Sequence, residues 1–125
     1  LDREQGRRHL PVKLDNRDRR ALGKAVTLMK RDLAAYPSIP QLAQAAHMSP
    51  SRFQMAFRQV YGTTAYAYLK VLRMNDALLL LRDSDDNIQT VARKVGYGHA
   101  GHFSRLFRET FGMGPQQYRS VHRIK

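Results

Sequence analysis

The chain contains no cysteine and no tryptophan, and it has only 10 acidic residues against 22 lysines and arginines. Without cysteine it cannot form disulfides, thiolate nucleophiles or cysteine-ligated zinc sites. Its longest purely apolar run, Ala77–Leu81, is far shorter than the roughly 20 residues that a membrane-spanning helix requires. Charged residues also crowd the N-terminus, where a signal peptide would be apolar. We therefore expect a cytoplasmic protein without a membrane span.

What the chain has in excess is positive charge. The formal net charge is +12 at pH 7, which indicates a polyanionic partner, nucleic acid ahead of an anionic membrane surface. Residues 1–38 hold ten basic and five acidic side chains, residues 39–86 five and four, and residues 87–125 seven and one. The surplus therefore lies at the two ends, whereas the middle is nearly neutral.

Residues 1–14 are polar, carry charges of both signs and show no apolar periodicity, so we expect a linker or arm ahead of a DNA-binding domain over 15–125. The charges of this arm are also consistent with a role in solubility alone. Because the chain begins with Leu1 rather than Met, we expect it to be a fragment of a longer protein.

The apolar residues recur at three- and four-residue steps, and no segment shows the two-residue alternation of a strand. The sequence therefore predicts an all-α fold of about seven helices. Asp15 or Asn16 caps the first helix, which we expect to run to about Ala35, with Leu33 in its apolar stripe. The other predicted segments are a first helix-turn-helix unit over 38–62, a linker helix over 64–82, a second helix-turn-helix unit over 87–112 and a terminal helix over 115–122.

The helix-turn-helix interpretation rests on an internal repeat. Each copy reads as a short helix, a tight turn, a second helix and a glycine that ends it. The upstream offset is one residue shorter than the downstream offset, so one residue is inserted in the turn of the second copy. Ile39, Leu42 and Ala43 recur 49 residues later as Ile88, Val91 and Ala92, and Phe53, Phe57, Arg58, Tyr61, Gly62 and Tyr68 recur fifty residues later as Phe103, Phe107, Arg108, Phe111, Gly112 and Tyr118.

The predicted linker helix is apolar on more than one side, so we expect it to be covered on more than one side. Its roughly nineteen residues correspond to about 28 Å. The major groove presents the same face again after about 34 Å. A helix of this length suits two recognition helices placed in adjacent major-groove segments. A helical repeat that has no role on DNA is the alternative.

A distinctive set of residues follows from Ala92 onward: Ala92, Gly96, Tyr97, Phe103, Arg105, Phe107, Arg108, Gly112, Pro115, Tyr118 and Arg119. Further residues of the same pattern lie in the linker helix and in the first unit: Tyr68, Leu69, Arg73, Met74, Ala77, Leu80 and Leu81, and Leu42, Ala43, Met48, Ser49, Arg52, Phe53 and Phe57. With these residues, from about Ser38 to Arg119, the chain resembles the AraC/XylS family of bacterial transcription regulators. This resemblance implies a seven-helix DNA-binding domain with two helix-turn-helix units, promoter binding, and activation through contact with RNA polymerase. It further implies that many members carry the domain at the C-terminus, behind an effector-binding or dimerisation domain.

The outward faces of the two predicted recognition helices supply the candidates for contacts with bases. Gln54 has the amide geometry that pairs with adenine, Arg105 can form the bidentate pair with guanine, and Met55 can contact a thymine methyl. A surface ion pair with Glu109 is the alternative for Arg105. The full predicted set is Ser51, Arg52, Gln54 and Met55 in the first unit and Gly101, His102 and Arg105 in the second.

Gly101 lacks a side chain, so the second unit either reads fewer bases than the first or approaches the groove more closely. Helix N-termini and flanking cations supply the candidates for phosphate contacts. They are Ser38, Ser49, Arg58, Asn87, Thr90, Arg93, Lys94, Arg108 and Arg119.

Other classes of function have less support. His99 and His102 form an HxxH pair, but Glu109 is the only acidic residue after Asp86, so we expect no metal site, no cofactor and no enzymatic activity. The cations do not gather on one face of an amphipathic helix, which disfavours a membrane-surface protein. A non-specific architectural protein that binds nucleic acid is the remaining alternative to a sequence-specific regulator of promoter DNA.

Overall fold

The computed structural model describes residues 11–31, 34–35 and 37–123, and these ranges contain seven helices and no strand. The predicted all-α fold is therefore confirmed. The helices are α1 (Asn16–Arg31), α2 (Ile39–Ala45), α3 (Pro50–Tyr61), α4 (Ala65–Asp83), α5 (Ile88–Lys94), α6 (Ala100–Phe111) and α7 (Pro115–His122).

The chain divides into two compact units. The first compact unit holds α1, α2, α3 and the start of α4 up to Tyr68. The second holds α4 from Leu69 onward, together with α5, α6 and α7. Each compact unit therefore contains one helix-turn-helix, the first formed by α2 and α3 and the second by α5 and α6.

Side-chain caps start several of the helices. Ser38 and Gln41 form a capping box, since the Ser38 hydroxyl accepts from the Gln41 N–H at 3.2 Å and the Gln41 side chain accepts from the Ser38 N–H at 2.8 Å. The Thr64 hydroxyl accepts from the Ala67 N–H at 3.0 Å. Gly62 and Gly112 end α3 and α6 with φ of 76° and 85°, a left-handed conformation that only glycine adopts without strain.

Helix α1 ends earlier than predicted. It stops at Arg31, and Ala34 and Ala35 lie in a turn. The last buried side chain of α1 is Met29, two residues before the helix ends. The predicted stripe residue Leu33 and residues 1–10 of the predicted arm lie outside the described residues.

Each compact unit has its own apolar core. In the first, Leu22, Met29, Leu42, Phe53 and Phe57 are all buried to 1% exposure or less. Full burial of side chains of this size contributes about 1.5–3 kcal/mol each. In the second compact unit the core is built from Met74, Ala77, Leu81, Val91, Ala92, Val95, Phe103 and Phe107.

The linker helix α4 carries both buried and exposed apolar residues. Leu69, Met74, Ala77 and Leu81 are buried, but Val71 is 53% exposed and Leu79 is 49% exposed. Leu72 and Leu80, which the sequence places among the apolar positions, are half-buried. The predicted cover on more than one side therefore does not include the side that carries Val71 and Leu79.

Arg73 is a buried residue of α4 that the apolar pattern does not reveal. It is 2% exposed, and its guanidinium carbon lies 5.4 Å from the centre of the Tyr97 ring. A cation over an aromatic face is stabilised by the ring quadrupole. Arg73 thereby links α4 to the turn of the second helix-turn-helix. None of the helices in the described part of the chain is long and apolar enough to span a membrane.

Candidate nucleic-acid interface

The turns of the two helix-turn-helix motifs have the same backbone geometry. His47 (φ 57°) and Gly96 (φ 98°) both adopt positive φ. The next residue then donates its N–H back into the preceding helix, from Met48 to the Ala43 carbonyl at 2.9 Å and from Tyr97 to the Ala92 carbonyl at 2.8 Å. Equivalent residues of the two motifs are 49 residues apart up to Met48 and Tyr97, and 50 residues apart from Ser49 and His99 onward. The extra residue of the second turn is therefore Gly98.

The packed sides of α3 and α6 are also nearly identical. The ring centroids of Phe53 and Phe57 are 5.7 Å apart with an interplanar angle of 51°, and those of Phe103 and Phe107 are 5.8 Å apart with the same angle. A third ring, Tyr61 or Phe111, continues each stack at 4.5 Å or 4.7 Å. The Phe and Tyr series is therefore core, and it holds each recognition helix by the same contacts.

The side of α3 opposite this aromatic core carries the predicted contacts with bases. Ser51, Gln54, Met55 and Arg58 are all exposed, and Met55 retains 44% of its accessible surface although it is apolar. Ser51, Gln54 and Met55 follow Pro50 in the first two turns of the helix, the part that enters the groove in helix-turn-helix proteins, and Arg58 lies further along. This face offers an amide, a hydroxyl, a thioether and a guanidinium to a partner.

Arg52 differs from these four residues because it has internal partners. Its Nη2 donates to the Lys13 carbonyl at 3.1 Å and to Asp18 Oδ2 at 3.3 Å. Only Nε and Nη1 remain for a base or a phosphate while these bonds persist. A contact of Arg52 with DNA stays a prediction.

Two further hydrogen bonds join α3 to the predicted arm through Gln59, which the sequence does not single out. Its side-chain Oε1 accepts from the Val12 N–H at 2.9 Å, and its Nε2 donates to the Val12 carbonyl at 3.0 Å. Gln59 and Arg52 therefore hold Val12 and Lys13 against α3. The sequence does not indicate this pairing, because the two partners are 47 residues apart.

The exposed side of α6 carries Gly101, His102, Arg105 and Arg108. Arg105 Nη2 lies 3.1 Å from His102 Nδ1. Since arginine only donates, this geometry assigns His102 Nδ1 as the acceptor and puts the proton of a neutral ring on Nε2. Among the described residues, Arg105 forms no ion pair with Glu109, so the alternative role predicted for it is not observed in the structure.

Several residues that we predict to contact phosphate cap the helices. The Ser49 hydroxyl accepts from the Arg52 N–H at 3.2 Å, and Asn87 Oδ1 accepts from the Thr90 N–H at 2.8 Å. In each case a donor remains, since the hydroxyl hydrogen of Ser38 or Ser49 and the amide NH₂ of Asn87 are not used by the cap. A capping residue can therefore bind a phosphate without releasing its helix.

The predicted phosphate-binding cations differ in how much of their charge is available. Arg58 and Arg93 are exposed. Lys94 Nζ lies 2.7 Å from Asp86 Oδ2, and this hydrogen bond lowers the pKa of the Asp86 carboxyl. Lys94 can bind phosphate only in competition with Asp86, which weakens its candidacy.

The last two predicted phosphate contacts are Arg108, near the end of α6, and Arg119, in α7. Arg119 donates from Nε to the Leu81 carbonyl at 2.9 Å and from Nη2 to the Ser84 carbonyl at 3.2 Å, so two of its five N–H donors hold α7 to the end of α4 and the residue after it. Arg108 is exposed. It lines a cavity of about 260 Å³ with Ile88, Ser104, Gly114, Pro115, Gln116 and Gln117. A phosphate contact is therefore better supported for Arg108 than for Arg119, whose role on DNA stays a prediction.

The predicted absence of a metal site concerns the HxxH pair of His99 and His102. Within residues 11–31, 34–35 and 37–123, no group of three or more histidine, aspartate or glutamate side chains is arranged to hold a metal ion. His102 instead pairs with Arg105 and lies 5.8 Å, ring centre to ring centre, from Tyr97.

Comparison with known proteins agrees with this architecture. The profile of a family described as "Helix-turn-helix domain" matches residues 42–120. The HTH-type transcriptional regulator AlkR of Acinetobacter baylyi is 39% identical over 89 residues, which cover 68% of this chain and 29% of AlkR. The chain therefore spans less than a third of that relative's length.

Two solved structures share the fold at 26% identity. An AraC-type DNA-binding domain-containing transcriptional regulator from Chromobacterium violaceum matches with a TM-score of 0.78 over 86% of this chain and 96% of that one. The DNA-binding domain of AdpA, solved in complex with a target DNA, matches with a TM-score of 0.75 over 81% of this chain and 91% of that one. The chain therefore belongs to the AraC/XylS family of helix-turn-helix proteins and contains that family's DNA-binding domain.

Proposed function

We propose that the chain binds double-stranded promoter DNA sequence-specifically and regulates transcription, with α3 and α6 in successive major-groove segments. The observation that carries this proposal is the contrast between two helices with the same aromatic core and different polar faces. A repeated scaffold with varied outward side chains is what the recognition of two different base sequences requires. The likeness to the AdpA domain, solved with its target DNA, supports duplex DNA as the partner.

On α3, Gln54 pairs with adenine through its amide, Met55 packs against a thymine methyl, and Ser51 donates or accepts a hydrogen bond at a base edge. These three residues are exposed on the same face of the helix, whereas Arg52 is tied to Asp18 and Lys13. We expect the first helix-turn-helix to favour an A·T-containing segment. Arg58, further along α3, meets a phosphate.

On α6, Arg105 pairs with guanine, and His102 orients it. The bond from Arg105 Nη2 to His102 Nδ1 limits the rotamers of a long side chain before DNA arrives, which lowers the entropy that binding must remove. His102 Nε2, the other ring nitrogen, is then a donor for a base or phosphate oxygen. We expect the second helix-turn-helix to favour a G·C-containing segment.

Phosphates beside these segments bind the caps Ser38, Ser49 and Asn87, the first-turn Thr90, and the cations Arg93 and Arg108. Each cap adds a hydrogen bond at a helix N-terminus, where the backbone N–H groups and the helix dipole also favour an anion. If about six phosphates are neutralised, a plot of the logarithm of the binding constant against the logarithm of the salt concentration has a slope of about −5.

The full regulator, we infer, carries an effector-binding or dimerisation domain besides this one, acts in the bacterial cytoplasm, and activates transcription through contact with RNA polymerase. The family resemblance supports these points, as does the short share of AlkR that the chain covers. No cofactor and no catalytic activity form part of the proposal.

Selection of bound duplexes from a random DNA library, followed by a salt titration of the winning sequence, tests the proposed function. We expect one site of about two major-groove turns without palindromy, because two different helices on one chain read it. A non-specific architectural protein would enrich no sequence, and an enriched site confined to one groove segment would contradict readout by both helices.

A further inference from the structure

A basic cavity lies on the first compact unit, beside the start of α3 and outside the interface described above. Its volume is about 350 Å³. Helix α1 forms one wall, and the turn between α2 and α3 forms the other. The lining residues are Arg17, Asp18, Arg20, Ala21 and Lys24 from α1 and Ala46 and His47 from the turn.

The cations of this cavity are not balanced by its acidic neighbours. Among the described residues that line the cavity, Asp18 is the only carboxylate, and it is engaged twice, with Arg52 Nη2 at 3.3 Å and with the Asp15 N–H at 3.1 Å. Asp15 in turn accepts from the Asp18 N–H at 2.9 Å, so both carboxylates cap α1. Among the residues described by the structure, no ion pair engages Arg20 or Lys24.

The cations also share one side of α1. Arg17, Arg20 and Lys24 are spaced by three and four residues, which places them on one face of a helix. All three are exposed. These three cations form part of the positive charge that precedes Ser38 in the sequence. Contacts of the two recognition helices with DNA do not involve this charge.

The cavity lies next to the first turn of α3, which is part of the proposed DNA site. Asp18 contacts Arg52, in the first turn of α3, and His47 lies two residues before the cap Ser49. The cavity is therefore at the end of α3 from which Ser51, Gln54 and Met55 project. A helix that enters the major groove, about 12 Å wide, has a phosphate strand on either side. Groups that flank the entering end of the helix meet one of these strands.

We propose that Arg17, Arg20 and Lys24, with His47 opposite them, form an additional binding surface for the DNA backbone beside the segment that α3 reads. This inference rests on the proposed function and adds a contact that lies on neither recognition helix. The surface is sequence-independent, since phosphates carry no base information. It lengthens the protected DNA on the α3 side of the site only.

A matched pair of double variants on α1 tests this surface. The test variant is Arg20→Gln with Lys24→Gln, and the control is Arg19→Gln with Lys30→Gln. Each pair removes one arginine and one lysine from exposed positions of the same helix. At about 100° per residue, however, Arg19 and Lys30 project from a different side of α1. The net-charge change is therefore equal and only the location differs.

The readout is the dependence of affinity on salt, measured by fluorescence anisotropy with the selected duplex. We expect the magnitude of the log–log slope to fall by about 2 in the test variant and to stay unchanged in the control, because about 0.9 counterions are released per phosphate contact. Hydroxyl-radical footprinting should show loss of protection on the α3-side flank alone. Equal slopes in the two double variants would overturn the inference.

Two further controls separate the possible failures. If the wild-type chain enriches no duplex at all, the proposed function fails, whereas a specific wild type with an unaffected test variant refutes only the α1 surface. Inorganic phosphate at constant ionic strength should not compete with the duplex, and competition by it would identify a free-anion site instead. If the double variant loses helical circular dichroism, Lys24→Gln alone, with an expected slope change of about 1, replaces it.

Discussion

The first helix-turn-helix and the second are alike on their packed sides and different on their exposed sides. Each has a recognition helix of 12 residues that ends at a left-handed glycine and is held by two phenylalanines 5.7 or 5.8 Å apart. Outside, Ser51 corresponds to Gly101, Arg52 to His102 and Met55 to Arg105. The two motifs therefore share the packing that fixes their shape. Their exposed side chains differ, as the recognition of two different DNA sequences requires.

The two motifs also differ in how their recognition helices begin. The first has a hydroxyl cap, Ser49, and proline at the first helical position, whereas the second has His99 without a side-chain cap bond, after the extra residue Gly98. The start of α3 is further tied to Lys13 and Asp18 through Arg52. The start of α3 is therefore restrained by more side-chain bonds than the start of α6.

The largest expected effects test whether the two cores are equivalent. Phe57 and Phe107 are both 0% exposed, and each contacts three other rings. We expect Phe57→Ala and Phe107→Ala each to lower the free energy of unfolding by about 3–5 kcal/mol, from lost burial and the cavity left behind. Urea denaturation followed by circular dichroism measures both. Costs that differ by several kcal/mol would show that the two cores are alike in geometry but not in energy.

The next largest effects separate the two exposed faces. Gln54→Ala and Arg105→Ala should each weaken binding to the selected duplex by about 1–3 kcal/mol, because each removes one bidentate pair with a base. Each should relax the preference of its own groove segment and leave the other segment unchanged. Competition with scrambled DNA supplies the control, and an equal loss on both DNAs would reassign the residue to a phosphate contact.

A smaller effect concerns the helix starts. We expect Ser49→Ala to lower the free energy of unfolding by about 1 kcal/mol, since the Arg52 N–H loses its acceptor. His99→Ser should raise it by a similar amount or less, because His99 already has extended φ and ψ of −125° and 126° and only lacks the capping oxygen. Thermal unfolding checks both variants, and a neutral His99→Ser would indicate that another group already satisfies the start of α6.

The smallest expected effect decides how closely α6 approaches DNA. A methyl group at Gly101 would meet no atom within 4 Å, so Gly101→Ala should leave the fold intact and stabilise it by up to about 1 kcal/mol. If glycine serves only to leave a base unread, affinity for the selected duplex stays unchanged. A tenfold or greater loss of affinity in an equally stable variant would instead establish close approach of the backbone to the groove.

Much of this architecture follows from local rules. The Ser38 capping box, the Thr64 and Asn87 caps, the glycine ends of α3 and α6 and the aromatic repeat are all written in short segments. Their geometry depends on neighbours three to five residues away. The end of α1 at Arg31 was not predicted in this way, since the apolar spacing of the sequence continues to Leu33.

The sequence alone therefore determined the helices, their caps, the repeated core and the candidate faces on DNA, because backbone hydrogen bonds and helical periodicity act over a few residues. Only the tertiary structure decided which cations are available. It ties Arg52 to Asp18 across 34 residues, Gln59 to Val12 across 47 and Arg119 to Leu81 across 38, and it gathers Arg20, Lys24 and His47 around one cavity. Such pairings depend on how helices pack together, and packing brings together residues that no spacing in the sequence relates.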